Sequence, residues 1–210
     1  MLQTQTVEPR TFSLLTQLMK LPALADFYLV GGTALSLQFG HRISVDLDLF
    51  GHTHFDREVI IKVLEEEYRN DFSYDGKINS WGIFGFIRDV KVDIINYKHP
   101  VIQQPVTIDG IRMYSTEDII AMKINAILGR SMKKDFWDVY ELLKHYTIDQ
   151  FISFHSKKFP SQQLMITIPQ ALVYFEDAEE SEEPISLKGQ TWEGVKKFIQ
   201  QKVNDFLSPV

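Results

Sequence analysis

Two carboxylates and two glycines mark the stretch of this sequence best suited to chemistry. Asp46 and Asp48 alternate with Val45, Leu47 and Leu49, the period-two pattern of a strand that is aliphatic on one face and acidic on the other. Neighbouring carboxylates on such a strand repel each other and are costly to desolvate, and a bound cation relieves both penalties. Hard oxygen donors make Mg²⁺ the expected cation. Upstream, Gly31 and Gly32 follow the apolar run Tyr28, Leu29 and Val30. Glycines there let backbone N–H groups come close to a phosphate at a helix start.

The elements that must hold these groups follow from the pattern on either side. Residues 11–25 carry Phe12, Leu15, Leu18 and Met19 at helical spacing, with Pro22 bending or ending the run. A strand over 28–30, a helix containing Leu35, Leu37 and Phe39, and a strand over 45–49 come next. Asp56 is placed to cap an amphipathic helix whose predicted inner face is Val59, Ile60, Val63, Leu64 and Tyr68. Strands are expected over 77–87 and 90–97, with turns at Asp75-Gly76 and Arg88-Asp89, and one further strand over 106–115. Asp93 interrupts the aliphatics of the second of these, and on its own reads as an edge-strand acid facing water. From Ser115 the pattern becomes helical. Ser115 and Asp118 form an N-cap pair, Gly129 breaks the helix, and a second helix covers 133–146. Helices are also expected over 148–160, 161–175 and 191–207, the last with Trp192, Val195, Phe198, Ile199 and Phe206 on one side. EDAEESEEP reads as a solvated acidic linker.

A strand ending in Gly-Gly, a short helix, then Asp-x-Asp on the next strand resembles the motif of the polymerase-β-like nucleotidyltransferase superfamily. The string GGTALSLQFGHRISVDLDLF, with thirteen residues between Gly-Gly and Asp-x-Asp, is similar to one branch of it, the AbiEii/AbiGii toxins of abortive-infection, type IV toxin–antitoxin systems. A second block, KINAILGRSMKKDFWDVYELL, is also similar to the family. The resemblance implies an α+β fold: a mixed sheet flanked by helices over residues 1–112, then a helical region over 113–210 that completes the cleft. It implies a third carboxylate, for which Asp93 is the best-placed candidate, and functional roles for Lys123, Arg130, Lys134, Asp135 and Asp138. Whether Asp135 and Asp138 are catalytic or structural stays open. Arg42 and Ser44 match the family pattern as groups near phosphate, and His41 is placed to meet substrate.

On one unbroken helix, positions 123, 130 and 134 fall within about 20° of a common direction, a basic stripe. The alternative is a solvated ion-pair ladder of Arg130, Lys134 and Asp138. The expected reaction is transfer of a nucleoside monophosphate from a nucleoside triphosphate (NTP) to an acceptor hydroxyl. Asp46, Asp48 and Asp93 would hold two Mg²⁺ ions roughly 3.5–4 Å apart. Gly31, Gly32 and Thr33 would cradle the terminal phosphates, and Lys123 would offset charge as pyrophosphate leaves.

Composition bounds the partners. With 210 residues, 44% apolar and 24% charged, the chain has the make-up of an ordinary globular protein. It has no Cys, which excludes disulfides and thiolate metal sites. No apolar run reaches the roughly 20 residues of a membrane span, nor does the start read as a signal peptide, so a cytoplasmic protein is expected. A net charge of -6 argues against a general nucleic-acid coat but allows a local basic patch. His52 and His54 read as polar turn residues. The acceptor is expected to be RNA, with tRNA a reasonable target and an antitoxin encoded nearby. The competing readings are a transferase that modifies a protein hydroxyl (AMPylating-type) and a regulatory nucleotide-binding module without turnover.

Overall fold

A computed structural model describes residues 1–76 and 81–208. Seven strands form one mixed sheet: β1 (Tyr28–Leu29), β2 (Leu47–Gly51), β3 (Phe72–Tyr74), β4 (Gly82–Ile87), β5 (Val90–Asn96), β6 (Val106–Ile108) and β7 (Ile111–Met113), in the order β3-β4-β5-β2-β1-β7-β6. β2 pairs with β5 and β1 with β7 in parallel; the other pairs are antiparallel. The helices are α1 (Pro9–Leu18), α2 (Gly31–Phe39), α3 (Arg57–Tyr68), α4 (Thr116–Gly129), α5 (Lys133–Leu142), α6 (Ile148–Lys158), α7 (Ile168–Leu172) and α8 (Trp192–Leu207). The fold is α+β, as the sequence leads one to expect.

Local chemistry fixes most boundaries. The Asp56 carboxylate accepts from the N–H groups of Glu58 and Val59, and the Ser115 hydroxyl accepts from that of Asp118, so both expected caps are present. Arg88 and Asp89 both take positive φ, 50° and 64°, the two-residue turn whose twist suits an antiparallel hairpin. Gly40 closes α2 in the left-handed region, its N–H donating to Ser36 at 2.8 Å.

Four expectations change. The segment 106–115 is a hairpin rather than one strand, because Asp109 and Gly110 both take positive φ and turn the chain. Val45 lies ahead of β2 and is exposed, so it does not share the core face with Leu47 and Leu49. The buried stripe of α3 is Ile60, Ile61, Leu64 and Tyr68, rotated from the expected face, and Val59 is exposed. Residues 161–175 are not one helix. Pro169 fits only the first turn of α7, so that helix begins at Ile168. The expected strand 77–87 is seen from Gly82, and residues 77–80 lie outside the described residues.

A single cluster of buried side chains runs from Leu14 and Leu15 through Leu47, Leu49 and Tyr114 to Phe136, Trp137 and Val195. It draws on both the strand-rich and the helical halves. Among the described residues no helix is long and apolar enough to cross a membrane.

Candidate active site

Burial alternates along β2 so that Leu47 and Leu49 enter the core while Asp48 and Phe50 face the other way. The parallel register sets Asp48 directly opposite Asp93 on β5. The edge-strand reading of Asp93 therefore fails, since β5 lies between β2 and β4 inside the sheet. Asp93 is 8% exposed. Its Oδ2 accepts from Lys91 Nζ at 2.6 Å, while its Oδ1 has no hydrogen-bond partner. Burial first, and the neighbouring Asp93 charge second, raise the Asp48 pKa, with Lys91 opposing. Asp93 Oδ1 thus has room for a further partner, and the Lys91 charge does not offset what burial and Asp93 do to Asp48.

The glycines have specific jobs. Gly31 takes φ +69°, and a Cβ there would lie 2.8 Å from Asp48 Oδ2. A Cβ on Gly32 would lie 2.0 Å from Arg42 Nη2. No side chain caps the start of α2, so its first N–H groups stand at the cleft without a side-chain acceptor. Thr33 lines the cleft and also makes a structural bond. Its hydroxyl is buried and donates to the Asp46 carbonyl, and the Ser44 hydroxyl lies 2.9 Å from it. These two hydroxyls tie α2 to the approach to β2, and Thr33, Arg42 and Ser44 also line the cleft, where the sequence places them near phosphate.

Behind this surface sits a buried charge cluster. Arg42 grips Asp138 with two bonds, Nε to Oδ1 at 2.7 Å and Nη2 to Oδ2 at 2.9 Å, and His41 Nε2 stands 2.7 Å from Oδ1. Lys123 Nζ lies 2.6 Å from Asp138 and 2.9 Å from Asp135. Burial alone would raise the Asp138 pKa, but the charges of Arg42 and Lys123, with hydrogen bonds from His41 and Arg42, hold it well below the usual carboxylate range. Burial likewise works against charge on Lys123, yet Asp135 and Asp138 together raise its pKa. Asp138 is fully buried and is no part of a surface ladder, nor does it line the cleft. Its place is positional: it orients Arg42, Lys123 and His41. His41, 1% exposed, stands against Asp138 and is not among the residues that line the cleft.

The cleft itself measures about 580 Å³. Gly31 and Gly32, Asp46, Asp48 and Asp93, and the basic Lys123, Arg130 and Lys134 all line it. The stripe geometry was drawn for one continuous helix, whereas α4 and α5 are separate. The three cations nevertheless reach one space because the break after α4 brings α5 back against α4 and α2. Lys134 Nζ stands 3.7 Å from Asp46 Oδ2. Lys123 reaches the cleft with its charge already shared between two aspartates.

Lys91, Glu182 and Glu183 are not singled out by the sequence, whereas Asp135 is. Lys91 sits two residues before Asp93 on the same strand face, a relation the alternation could have revealed. Asp135 lines the cleft and has an unpartnered buried Oδ2. Glu182 and Glu183 also line the cleft. Their supposed linker is anchored where Ile43 N–H donates to the Ile185 carbonyl at 2.9 Å and Leu187 N–H to that of His41 at 3.0 Å. Composition gave no hint of that pairing.

Among the described residues no group of three acidic, His or Cys side chains is gathered closely enough to form a ready-made metal cage. Mg²⁺ does not require one, since it commonly takes one or two carboxylates and completes its shell with water and substrate phosphate. The facing Asp48 and Asp93, with an unpartnered Oδ1 between strands and a raised Asp48 pKa, fit that mode of binding.

Comparison with known proteins gives a consistent picture. A family model described as nucleotidyl transferase AbiEii toxin, type IV TA system, matches residues 13–205. An uncharacterised protein of Aquifex aeolicus, aq_aa25, is 33% identical over 189 residues, covering 87% of this chain and 88% of its own. Among solved structures, JHP933 from Helicobacter pylori aligns with TM-score 0.57 and 20% identity over 97% of this chain and 92% of that one. MenT4, a nucleotidyltransferase toxin from Mycobacterium tuberculosis, aligns with TM-score 0.58 and 13% identity over 91% and 82%. At those identities the structural likeness speaks for the fold alone.

Proposed function

The chain belongs to the nucleotidyl transferase AbiEii toxin family and is a nucleotidyltransferase, and from that premise we propose that it transfers a nucleoside monophosphate from an NTP to a hydroxyl of an RNA, acting as the toxin of a type IV toxin–antitoxin pair. The observation that carries this reading is the facing pair Asp48 and Asp93 beside the uncapped start of α2. In the reaction the acceptor oxygen attacks the α-phosphorus, the bond from that phosphorus to the β-phosphate oxygen breaks, and pyrophosphate leaves with the electron pair. The acceptor proton goes to a base.

Each residue then has a task. Asp48 and Asp93, with Asp46 at the rim, would hold Mg²⁺, which when bound neutralises the carboxylates and polarises the phosphoryl oxygens. Asp93 Oδ1 is the oxygen free to accept the proton of the acceptor hydroxyl. The first N–H groups of α2 face the β- and γ-phosphates, where Gly31 and Gly32 leave room for close approach. Arg130 and Lys134 balance the charge of departing pyrophosphate, and Lys123 sets a fixed positive field from behind. Arg42, Ser44 and Thr33 keep α2 and the start of β2 in register, while Asp138 holds Arg42 and Lys123 in place.

Incubation with each α-³²P-labelled NTP, total tRNA and cell extract tests the proposal on one gel. The expected result is a labelled RNA band with wild type and none with Asp48→Ala, whose circular dichroism and melting temperature stay those of a folded protein. Label retained by Asp48→Ala refutes the site. Label on a protein band instead of RNA refutes the acceptor.

A further inference from the structure

The sheet face that carries the acids continues beyond them. Asp48 and Phe50 lie two apart on β2, and Asp93 and Ile95 two apart on β5, so each pair shares a face. Phe50 stands opposite Ile95 in the same register that sets Asp48 opposite Asp93. Just past β5, the Tyr97 ring lies 5.0 Å from that of Phe50 and 4.7 Å from that of His99. Trp81 arrives from the β4 side, where its carbonyl accepts from the Asn96 N–H at 2.8 Å. Phe50, Trp81 and Ile95 line the acid cleft and also a second hollow of about 590 Å³ that runs on over Tyr97, Lys98 and His99. The two spaces are joined. Trp81 packs edge-on against Phe84 at 4.7 Å and is still 49% exposed, a large apolar surface left open beside the cleft.

We infer that this aromatic shelf binds the single-stranded 3′ end of the acceptor RNA, with bases stacked on Trp81 and His99, Tyr97 packed beneath His99, and a backbone phosphate held by Lys98. The inference rests on the RNA reading above and names the subsite that reading needs. Stacking on exposed aromatics beside a cation is the general solution for unpaired nucleotides, because every base offers a π-face. Among the described residues no Asp or Glu lines the hollow, so it does not repel a phosphate as the rest of this acidic protein does. Position selects the acceptor over the donor nucleotide. β1 lies on one side of β2, with β5 and β4 on the other, and α2 starts just past the end of β1. In-line displacement sets the attacking oxygen opposite the leaving group. Donor phosphates at α2 therefore put the acceptor over β5 and β4, where the shelf is.

Fluorescence anisotropy with a labelled single-stranded RNA of about ten nucleotides, carrying a free 3′-hydroxyl and added without NTP, tests this directly. Trp81→Ala, at an exposed position, should weaken RNA binding about tenfold, and Trp81→Phe should recover most of it. Lys98→Ala should lower the slope of log affinity against log salt by about one. Binding of a non-hydrolysable NTP analogue should be unchanged in all three. RNA affinity untouched by Trp81→Ala overturns the inference, and so does loss of NTP affinity in place of RNA affinity, which would make the shelf a donor-base pocket. These binding measurements need no turnover. A wild-type enzyme that labels no RNA would thus defeat the proposed function separately from the shelf.

Discussion

At the scale of the residue, two aspartates show how surroundings decide what a carboxylate can do. Asp138 is buried among cations and held far below its ordinary pKa; Asp48 is pushed above its own by burial and by Asp93. A folded-state pKa below the unfolded one adds stability that is present above the unfolded value and is lost as pH falls through the folded one. Asp138→Asn should therefore cost about 3–5 kcal/mol at neutral pH, because Arg42 is left buried without its carboxylate and Lys123 keeps only Asp135. Urea unfolding across pH should show the gap to wild type narrowing below the ordinary carboxylate value of about 3.9. A gap independent of pH would contradict the charge assignment. Asp48 has the opposite sign. Its raised pKa favours folding in the protonated form, a contribution fully present below the unfolded pKa and lost as pH rises through the folded one. In chelator at neutral pH, Asp48→Asn should melt a few degrees above wild type. Mg²⁺ should raise the wild-type melting temperature and leave that of the variant nearly unmoved, a comparison made by differential scanning fluorimetry.

At the scale of the element, the legible parts are those whose cause is local. Asp56 and Ser115 announce their helices through capping chemistry that acts within one turn, and the Gly31–Asp48 stretch carries its strand–helix–strand form in its alternation and its glycines. The hairpin at Asp109-Gly110 is equally local, but the apolar residues on both sides disguise the turn. What the sequence could not show was long-range. Nothing in EDAEESEEP tells that Ile185 and Leu187 pair with the chain at His41 and Ile43, or that Asp138 meets Arg42 across the fold. The basic residues at 123, 130 and 134 did reach one cleft, yet by the α4–α5 break instead of a common helical stripe. The glycines allow a test of how tightly elements are set. In Gly32→Ala the new methyl group collides with the Arg42 guanidinium, which cannot move without releasing Asp138. Transfer activity should fall on the order of a hundredfold, the cost of misplacing reacting groups by about an ångström. Gly129→Ala, at the last residue of α4 with nothing within 4 Å of the added Cβ, should keep full activity and gain about 0.5–1 kcal/mol. Equal loss in both would mean that glycine flexibility, not close approach, is what the site requires.

At the scale of the whole molecule, the strand-rich residues 1–112 and the helical residues 113–210 contribute to one site and one core. The cleft takes Asp48 and Asp93 from the first part and Lys123, Arg130 and Lys134 from the second. Behind it, Arg42 and Asp138 join the two through a bidentate pair that neither half can satisfy alone. β7 ends at Met113, and the fully buried Tyr114 leads straight into α4. At the far end, Trp192 on α8 stacks on Trp137 at 5.9 Å, and Val195, Ile199 and Val203 complete the same apolar cluster. A division near residue 112 is thus a change of secondary structure within a shared interior, and the halves should unfold together. Calorimetry of the intact chain should give a single transition whose van't Hoff and calorimetric enthalpies agree. A fragment of residues 1–112 should remain unfolded, because it leaves α2 without α4 and α5 and Arg42 without Asp138. Two resolved transitions, or a fragment with dispersed amide resonances, would show that the sheet stands independently and that the helical half merely docks against it.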